Sequence, residues 1–466
     1  MAGRILTGRL SMKRNEPCWS VVEPVILTRS NSGRYRTTAT VEGWASMSAK
    51  ILSAFALVGV AGLVLATSVV AQSDNQIAFV QVAGAQQRLR YLATARIWSD
   101  PGDVTPEMVT EGRPLKQQSD GIEAVLRGQP LPCDFAKPGK ELGGATPKFA
   151  CLTPGGTTIR VKYSDGSQDG NREIFSAVVA AKLLWVLGFI SDPIYPITID
   201  CRDCPANPMS GEGTRARRSY LATFQPELRP LVIVQGDDAD EGWRWGEVDE
   251  AIAKLPEGEL RARQRMHFDA LTLLGVFIQH GDRKPEQQRL ECRGALDPSA
   301  GDAQPVKGRD GISAFFERPD GLACNQPVIA LQDIGATFGG AGRMSKSSAK
   351  MNLKAWTDRP VFKPAKPDSS GVTECRGNLT VSMAAGEGGR GDPRIGEAGR
   401  AFLQDRLLLL TNEHVRALMA TARVEKLSDR HTWRDPSTGT AYVGSEAWVA
   451  AFKDKVRQIT ERRCAA

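Results

Sequence analysis

The sequence predicts an α+β fold made of a strand-rich segment with one helix, over 131–236, and a larger helical segment, over 237–466. A hairpin signal opens the first: Pro147–Thr153 and Thr157–Tyr163 read as strands around a Pro154-Gly-Gly156 turn. Strand side chains alternate, so Ile159, Val161 and Tyr163 share one face while Thr158, Arg160 and Lys162 share the other. Lys162 therefore stands on the polar face. After a Gly/Asp/Ser loop, Asn171 is placed to cap a helix running to about Leu187, with Glu173 in its first turn. Ile174, Ala177, Val178, Ala181, Leu184 and Val186 form its apolar stripe, and Gly188 ends it. Short strands follow at Pro196–Asp200, Arg218–Phe224 and Pro230–Val234. The second segment rests on a long helical pattern over Glu257–Gln279. Beyond a Gly/Pro-rich stretch comes a strand at Val328–Gln332, then helices at Glu397–Leu410 and Glu446–Arg462. Residues 72–130 read as a mainly helical preamble, broken by Pro101-Gly102 and Gly112-Arg-Pro114.

The leader is a separate matter. Met47-Ser-Ala-Lys50, an uncharged run from Ile51 to Ala66 and small residues at Val69 and Ala71 are the parts of a secretory signal peptide over 47–71. Cleavage after Ala71 exports the rest to the periplasm or outside. The alternative is an uncleaved anchor, since Ile51–Gln72 is just long enough to span a bilayer. Residues 1–46 have no apolar periodicity and read as an over-extended start or a disordered leader. Most of the net charge of +7 sits there: residues 1–71 hold eight Lys/Arg and three acids, leaving 52 basic and 50 acidic residues beyond. Charge therefore gives no case for a nucleic-acid partner. A 466-residue chain with 41% hydrophobic and 24% charged residues excludes wholesale disorder and a collagen-like chain.

Of nine cysteines only Cys18 precedes the cleavage point. The remaining eight, an even number in an exported chain, read as disulfides, although eight cysteines permit 105 connectivities. Cys201-Arg-Asp-Cys204 is the sole CxxC. With no second pair at matching spacing it reads as a structural disulfide rather than a zinc site.

At the end of the long helix stands His280-Gly-Asp282-Arg-Lys284-Pro285-Glu286-Gln287. It resembles the protein-kinase catalytic loop H-R-D-L-K-P-E-N at five of eight positions, in order. Asp333-Ile-Gly335 after a strand resembles the D-F-G turn. Lys162 and Glu173 resemble the lysine–glutamate pair, and Gly143-Gly144 a reduced phosphate-covering loop. The likeness extends over about Gly143–Leu353. It is similar to uncharacterised exported bacterial kinase-like proteins, whose D-[IL]-G-A-[TS]-F-G pattern Asp333–Gly339 matches throughout.

The resemblance implies a bilobal protein kinase-like fold, with an N-lobe over 131–236 and a C-lobe over 237–466 carrying an insertion at 289–327. It implies ATP and magnesium as cofactors and transfer of the γ-phosphoryl group to a hydroxyl acceptor whose identity the sequence does not give. Such transfer needs cations on phosphate, a carboxylate at the attacking hydroxyl and oxygen ligands for the metal. By resemblance Asp282 is the base, Lys284 steadies the transferred group, Lys162 contacts phosphates and is held by Glu173, and Asp333 with Gln287 ligates magnesium. Gln287 in place of asparagine, Gly281 in place of arginine and 51 positions between Asp282 and Asp333 depart from the pattern. A Cys292–Cys324 disulfide would staple the insertion. Lys162 and Glu173 are alternatively a simple surface ion pair, and Arg283 is either solvent-facing or a phosphate contact. His280 reads as a structural histidine that orients the loop.

Two rival functions remain. One is a kinase-fold binding or scaffold protein of the cell envelope without catalysis. The other is an acyl-transfer hydrolase on Ser347-Ser-Ala-Lys350, against which the missing K-T-G motif counts; otherwise Lys350 is an exposed, solvated residue. Gly386-Glu-Gly-Gly-Arg-Gly391 fits G-x-G-x-x-G but lies in no βαβ unit, so it does not signal dinucleotide binding.

Overall fold

The computed structural model describes residues 79–82, 84–113, 124, 128–136, 146–165, 170–226, 231–235, 242–293, 306–307, 313–316, 324–339, 349–365, 373–379, 392–427 and 431–465. All lie in Ser73–Ala466, which separates as one unit from Met1–Gln72. The expected signal peptide, Gly143-Gly144, Ser347 and the Gly386–Gly391 run lie outside the described residues.

The fold is mixed α+β. Five strands close a barrel in the order β2-β3-β4-β6-β5: β2 (Leu131–Ala136), β3 (Lys148–Leu152), β4 (Thr158–Ser164), β5 (Tyr195–Cys204) and β6 (Ala216–Phe224). Closure comes from a parallel pairing of β2 with β5, in which Cys133 faces Cys201. Ile159, Val161 and Tyr163 of β4 are buried and Thr158 and Arg160 exposed, the alternation that the sequence predicts. Phe149, Tyr163 and Tyr220 fill the interior with edge-to-face ring contacts.

Helix α3 (Glu173–Val186) lies between this barrel and the main core; the shorter α1 (Ala85–Thr94) and α2 (Pro106–Glu111) precede it. Here the structure departs from the predicted stripe. Every residue of α3 except Trp185 is buried, because the helix has neighbours on all sides. Asn171 does its expected work: its side-chain oxygen accepts from Glu173 N at 3.1 Å and its amide donates to Tyr163 O, tying the helix start to the end of β4.

The preamble is not helical throughout. Its strand β1 (Phe79–Gln81) pairs in parallel with β7 (Leu231–Val234) and with β10 (Ser313–Phe316). The resulting sheet runs β11-β8-β7-β1-β10-β9, with β8 at Gln288–Cys292, β9 at Val306–Lys307 and β11 at Pro327–Leu331. All five residues of β11 are buried, which explains its unbroken apolar run. Against this core pack α4 (Trp245–Ala253), α5 (Glu259–Phe277), α6 (Leu353–Thr357), α7 (Glu397–Leu408), α8 (Asn412–Thr421) and α9 (Ser445–Thr460). Phe277, Phe338, Trp356, Trp448 and Phe452 form one aromatic cluster at its centre.

All eight cysteines beyond residue 72 pair: Cys133–Cys151, Cys201–Cys204, Cys292–Cys324 and Cys375–Cys464. Four disulfides suit an oxidising environment. Cys292–Cys324 joins the ends of β8 and the approach to β11. Replacing both cysteines by alanine is expected to cost about 2–4 kcal/mol in urea unfolding; an unchanged midpoint would show that the β8–β11 pairing needs no staple. Among the described residues no helix is long and apolar enough to cross a membrane.

Candidate functional site

The polar face of β4, the first turn of α3 and the turn after β11 meet at Lys162. Its ammonium donates to Glu173 Oε1 at 2.7 Å and to Asp333 Oδ1 at 2.6 Å. Glu173 is 3% exposed in its side chain, so the surface-pair alternative does not describe it. Its other oxygen accepts from Thr146 Oγ1 and from Lys350 Nζ. Burial works against the Lys162 ammonium, but the carboxylates of Asp333 and Glu173 outweigh it and hold its pKa above that of a free lysine. Burial would likewise raise Glu173; Lys162 and Lys350 reverse this and hold the carboxyl well below its ordinary range.

Lys350 is the residue that sequence reasoning placed wrongly, as exposed and solvated. The segment 349–352 is pinned under the Asp333 turn: Met351 N donates to Thr337 O and Asn352 N to Phe338 O. A side chain at Gly339 would strike Ala349 O at 2.0 Å. That close approach delivers Lys350 to Glu173. The Asp-Ile-Gly turn is itself fitted to α3, since a Cβ on Gly335 would lie 2.2 Å from Glu173 Cγ and Ser176 Oγ donates to Gly335 O.

The second half of the site is the loop between α5 and β8. Gln287 Nε2 donates to Asp282 Oδ2 at 2.8 Å, and Lys284 Nζ stands 3.5 Å from Asp282 Oδ1. Gln332 N donates to Gln287 O at 2.8 Å and Phe338 N to Ile278 O at 2.7 Å, which ties this loop to the Asp333 turn by main chain. Among the described residues five non-glycine residues have positive φ. Four of them border the site: Gln279, Asp333, Phe338 and Met351.

Arg283 is neither solvent-facing nor a phosphate contact. It is 2% exposed, lies 3.9 Å from the centroid of the Trp245 ring and donates from Nε to His280 O. A Cβ on Gly275 would meet its guanidinium at 2.5 Å, and one on Gly242 would meet Pro285 O at 1.6 Å. Gly242 and Trp245 from upstream, and Gly275 from the helix that enters the loop, thus clamp it. Only the fold reveals them.

His280 is fully buried. It orients the loop through its main chain, with N donating to Gly275 O, while both ring nitrogens lack hydrogen-bond partners among the described residues. Burial, with the charge of Arg283 adding to it and Asp333 opposing, pushes its pKa down to about 3. Unfolded histidine binds its proton below 6.5 while the folded ring stays neutral to about 3. This contribution to stability is therefore complete above pH 6.5 and lost as pH falls. His280→Leu is expected to flatten the pH dependence of unfolding by about 1.4 kcal/mol per unit between pH 6 and 4. The comparison must be with the parent protein, because Asp192, raised by burial to about 6, adds a slope of opposite sign to both. Parallel curves would contradict the assignment.

Asp333 and Gln287 carry oxygen atoms of the type that a hard divalent cation takes. Asp333 Oδ2 and Gln287 Oε1 carry no hydrogen bond among the described residues, and Gln287 Oε1 is buried. Oxygen donors of this kind suit magnesium, which also keeps waters and phosphate oxygens. Among the described residues no three His, Cys, Asp or Glu side chains cluster as a metal group.

No family model matches the chain, and no curated protein matches it. Among solved structures, a Helicobacter pylori proinflammatory kinase, CtkA, aligns over 71% of this chain and 95% of its own at 12% identity, with a TM-score of 0.33.

Proposed function

We propose that this chain is an exported kinase-like phosphotransferase that moves the γ-phosphoryl group of ATP to a hydroxyl acceptor, with an N-lobe over 131–236 and a C-lobe over 237–466. The observation that carries it is the meeting of Lys162, Glu173 and Asp333, from a strand, a helix and a turn, beside a loop that presents Asp282, Lys284 and Gln287. In this reading residues 47–71 direct export.

Lys162 binds and orients the nucleotide phosphates, and Glu173 holds the ammonium at the end of β4. Asp333 and Gln287 would hold magnesium, which when bound neutralises phosphate charge. Gln287 occupies Asp282 Oδ2, so Oδ1 is the atom left to take the proton of the attacking hydroxyl. Lys284, beside that oxygen, offers a positive charge to the group in transfer. The rival reading, a binding module without catalysis, draws on Asp333 Oδ1 being already engaged by Lys162.

With water as the acceptor, oxidised protein incubated with Mg-ATP is expected to release phosphate. Asp282→Asn should slow the release by about 10²–10⁴-fold with an unchanged unfolding curve. Equal release from both proteins would sink the base assignment.

A further inference from the structure

Behind α3 lies a cavity of about 270 Å³ that the nucleotide reading leaves without a role. Its walls come from the second half of α3, the Gly188–Tyr195 connection into β5, the segments on either side of α2, and Arg293 beyond β8. Lys182, which lines it, is nine positions from Glu173, about 13 Å along the helix axis. The two sites are therefore separate.

The chemistry of the walls is one-sided. Phe189, Pro193, Ile194 and Tyr195 supply apolar surface, while Arg96, Arg113, Lys182 and Arg293 supply cations. Arg293 is spoken for by Glu291 at 2.8 Å. Among the described residues Arg96, Arg113 and Lys182 have no carboxylate within ion-pair distance. Asp100 is the one acid in the lining of the cavity; it is exposed and stands 3.8 Å from Arg406.

Lys182 is 2% exposed; among the described residues its ammonium gives one hydrogen bond, to Thr110 O at 2.6 Å, and lies 5.6 Å from the centroid of the Tyr195 ring. Two N–H groups are left over. The indole N–H of Trp185, also in the wall, is buried without an acceptor among the described residues. Burial lowers the pKa values of Arg96 and Arg113, and the charge of Arg293 adds to it at both, while the carboxylates of Glu291 and Asp192 oppose it at Arg113. Arg96 is exposed and Arg113 half-buried, but buried donors such as those of Lys182 and Trp185 cost stability unless a partner arrives.

We propose that this cavity is a binding site for a small organic anion with an apolar or aromatic body, its charge facing Lys182, Arg96 and Arg113 and its body against Phe189, Ile194 and Tyr195. Apolar walls with a few convergent polar groups are the ordinary make-up of a small-molecule pocket. Nothing in this proposal depends on phosphoryl transfer.

Calorimetric titration of the full oxidised chain with 2-naphthoate and with the uncharged 2-naphthamide tests it. The carboxylate is expected to bind at least tenfold more tightly than the amide. Lys182→Met and Arg113→Gln should each weaken it at least fivefold, while Asp333→Asn leaves it unchanged. Should Lys182→Met fail to fold, Arg113→Gln, at a half-buried position, decides alone. Absence of saturable binding, equal affinity for the two compounds, or indifference to Arg113→Gln would each overturn the proposal.

Discussion

Glu173→Ala is expected to destabilise the protein by about 3 kcal/mol, the low end of what breaking a buried ion pair costs. The carboxylate is buried and serves Lys162, Lys350 and Thr146 at once. Its removal strips Lys350 of its ion-pair partner and leaves a hole against Gly335, whose missing side chain is what lets the glutamate pack there. The low end is appropriate because Lys162 and Lys350 are each about one-fifth exposed and Lys162 keeps Asp333. Glu173→Gln preserves the packing and one acceptor oxygen, so about half of the loss should return. Because the folded carboxyl is held below its ordinary range, its stabilisation is complete above pH 4.5 and lost as pH falls. Urea unfolding at pH 7 and pH 4 reads all of this. Equal stability of Glu173→Ala and the parent at pH 7 would refute the account of the pair.

The other large effect belongs to Asp333 and falls on activity instead. Its side chain is nearly half exposed, so losing the Lys162 contact should change stability by no more than about 1 kcal/mol. Asparagine is the informative substitute, since Asp333 sits at φ 31° and Asn tolerates positive φ as aspartate does. Asp333→Asn removes one charge at the crossing of β11, α3 and the 280–287 loop. Under the proposed function phosphate release should drop on the order of 10³-fold. A protein that keeps both its stability and its release rate after this change would remove Asp333 from the site.

Periodicity made much of this legible. Alternation in β4 placed Lys162 on the polar face, and the helix after Asn171 placed Glu173 in its first turn; the two meet at 2.7 Å. The strand predicted at Val328–Gln332 is β11, which leads to Asp333. Long-range contacts were not legible. Lys350 reads as solvated from its Ser/Lys surroundings, and only the close approach at Gly339 carries it to Glu173. Arg283 reads as solvent-facing or as a phosphate contact until Trp245, from α4, is seen beneath it. The strand in the preamble escaped because three residues are too few for a period to show, and its pairing with β7 and β10 is decided by the sheet. The cysteine count forecast disulfides, and the pairs Cys201–Cys204 and Cys292–Cys324 were legible from the CxxC and from the insertion; Cys375–Cys464 bridges 89 positions that no spacing rule connects.

The most direct test is thermal unfolding of oxidised residues 72–466 with and without millimolar Mg-ATP. A rise in melting temperature that requires both magnesium and nucleotide is expected, equivalent to about 2.7 kcal/mol at a hundredfold excess over the dissociation constant, together with its loss in Asp333→Asn. No shift with the parent protein, or the same shift with Asp333→Asn, would contradict the claim that Lys162, Glu173 and Asp333 form a nucleotide site.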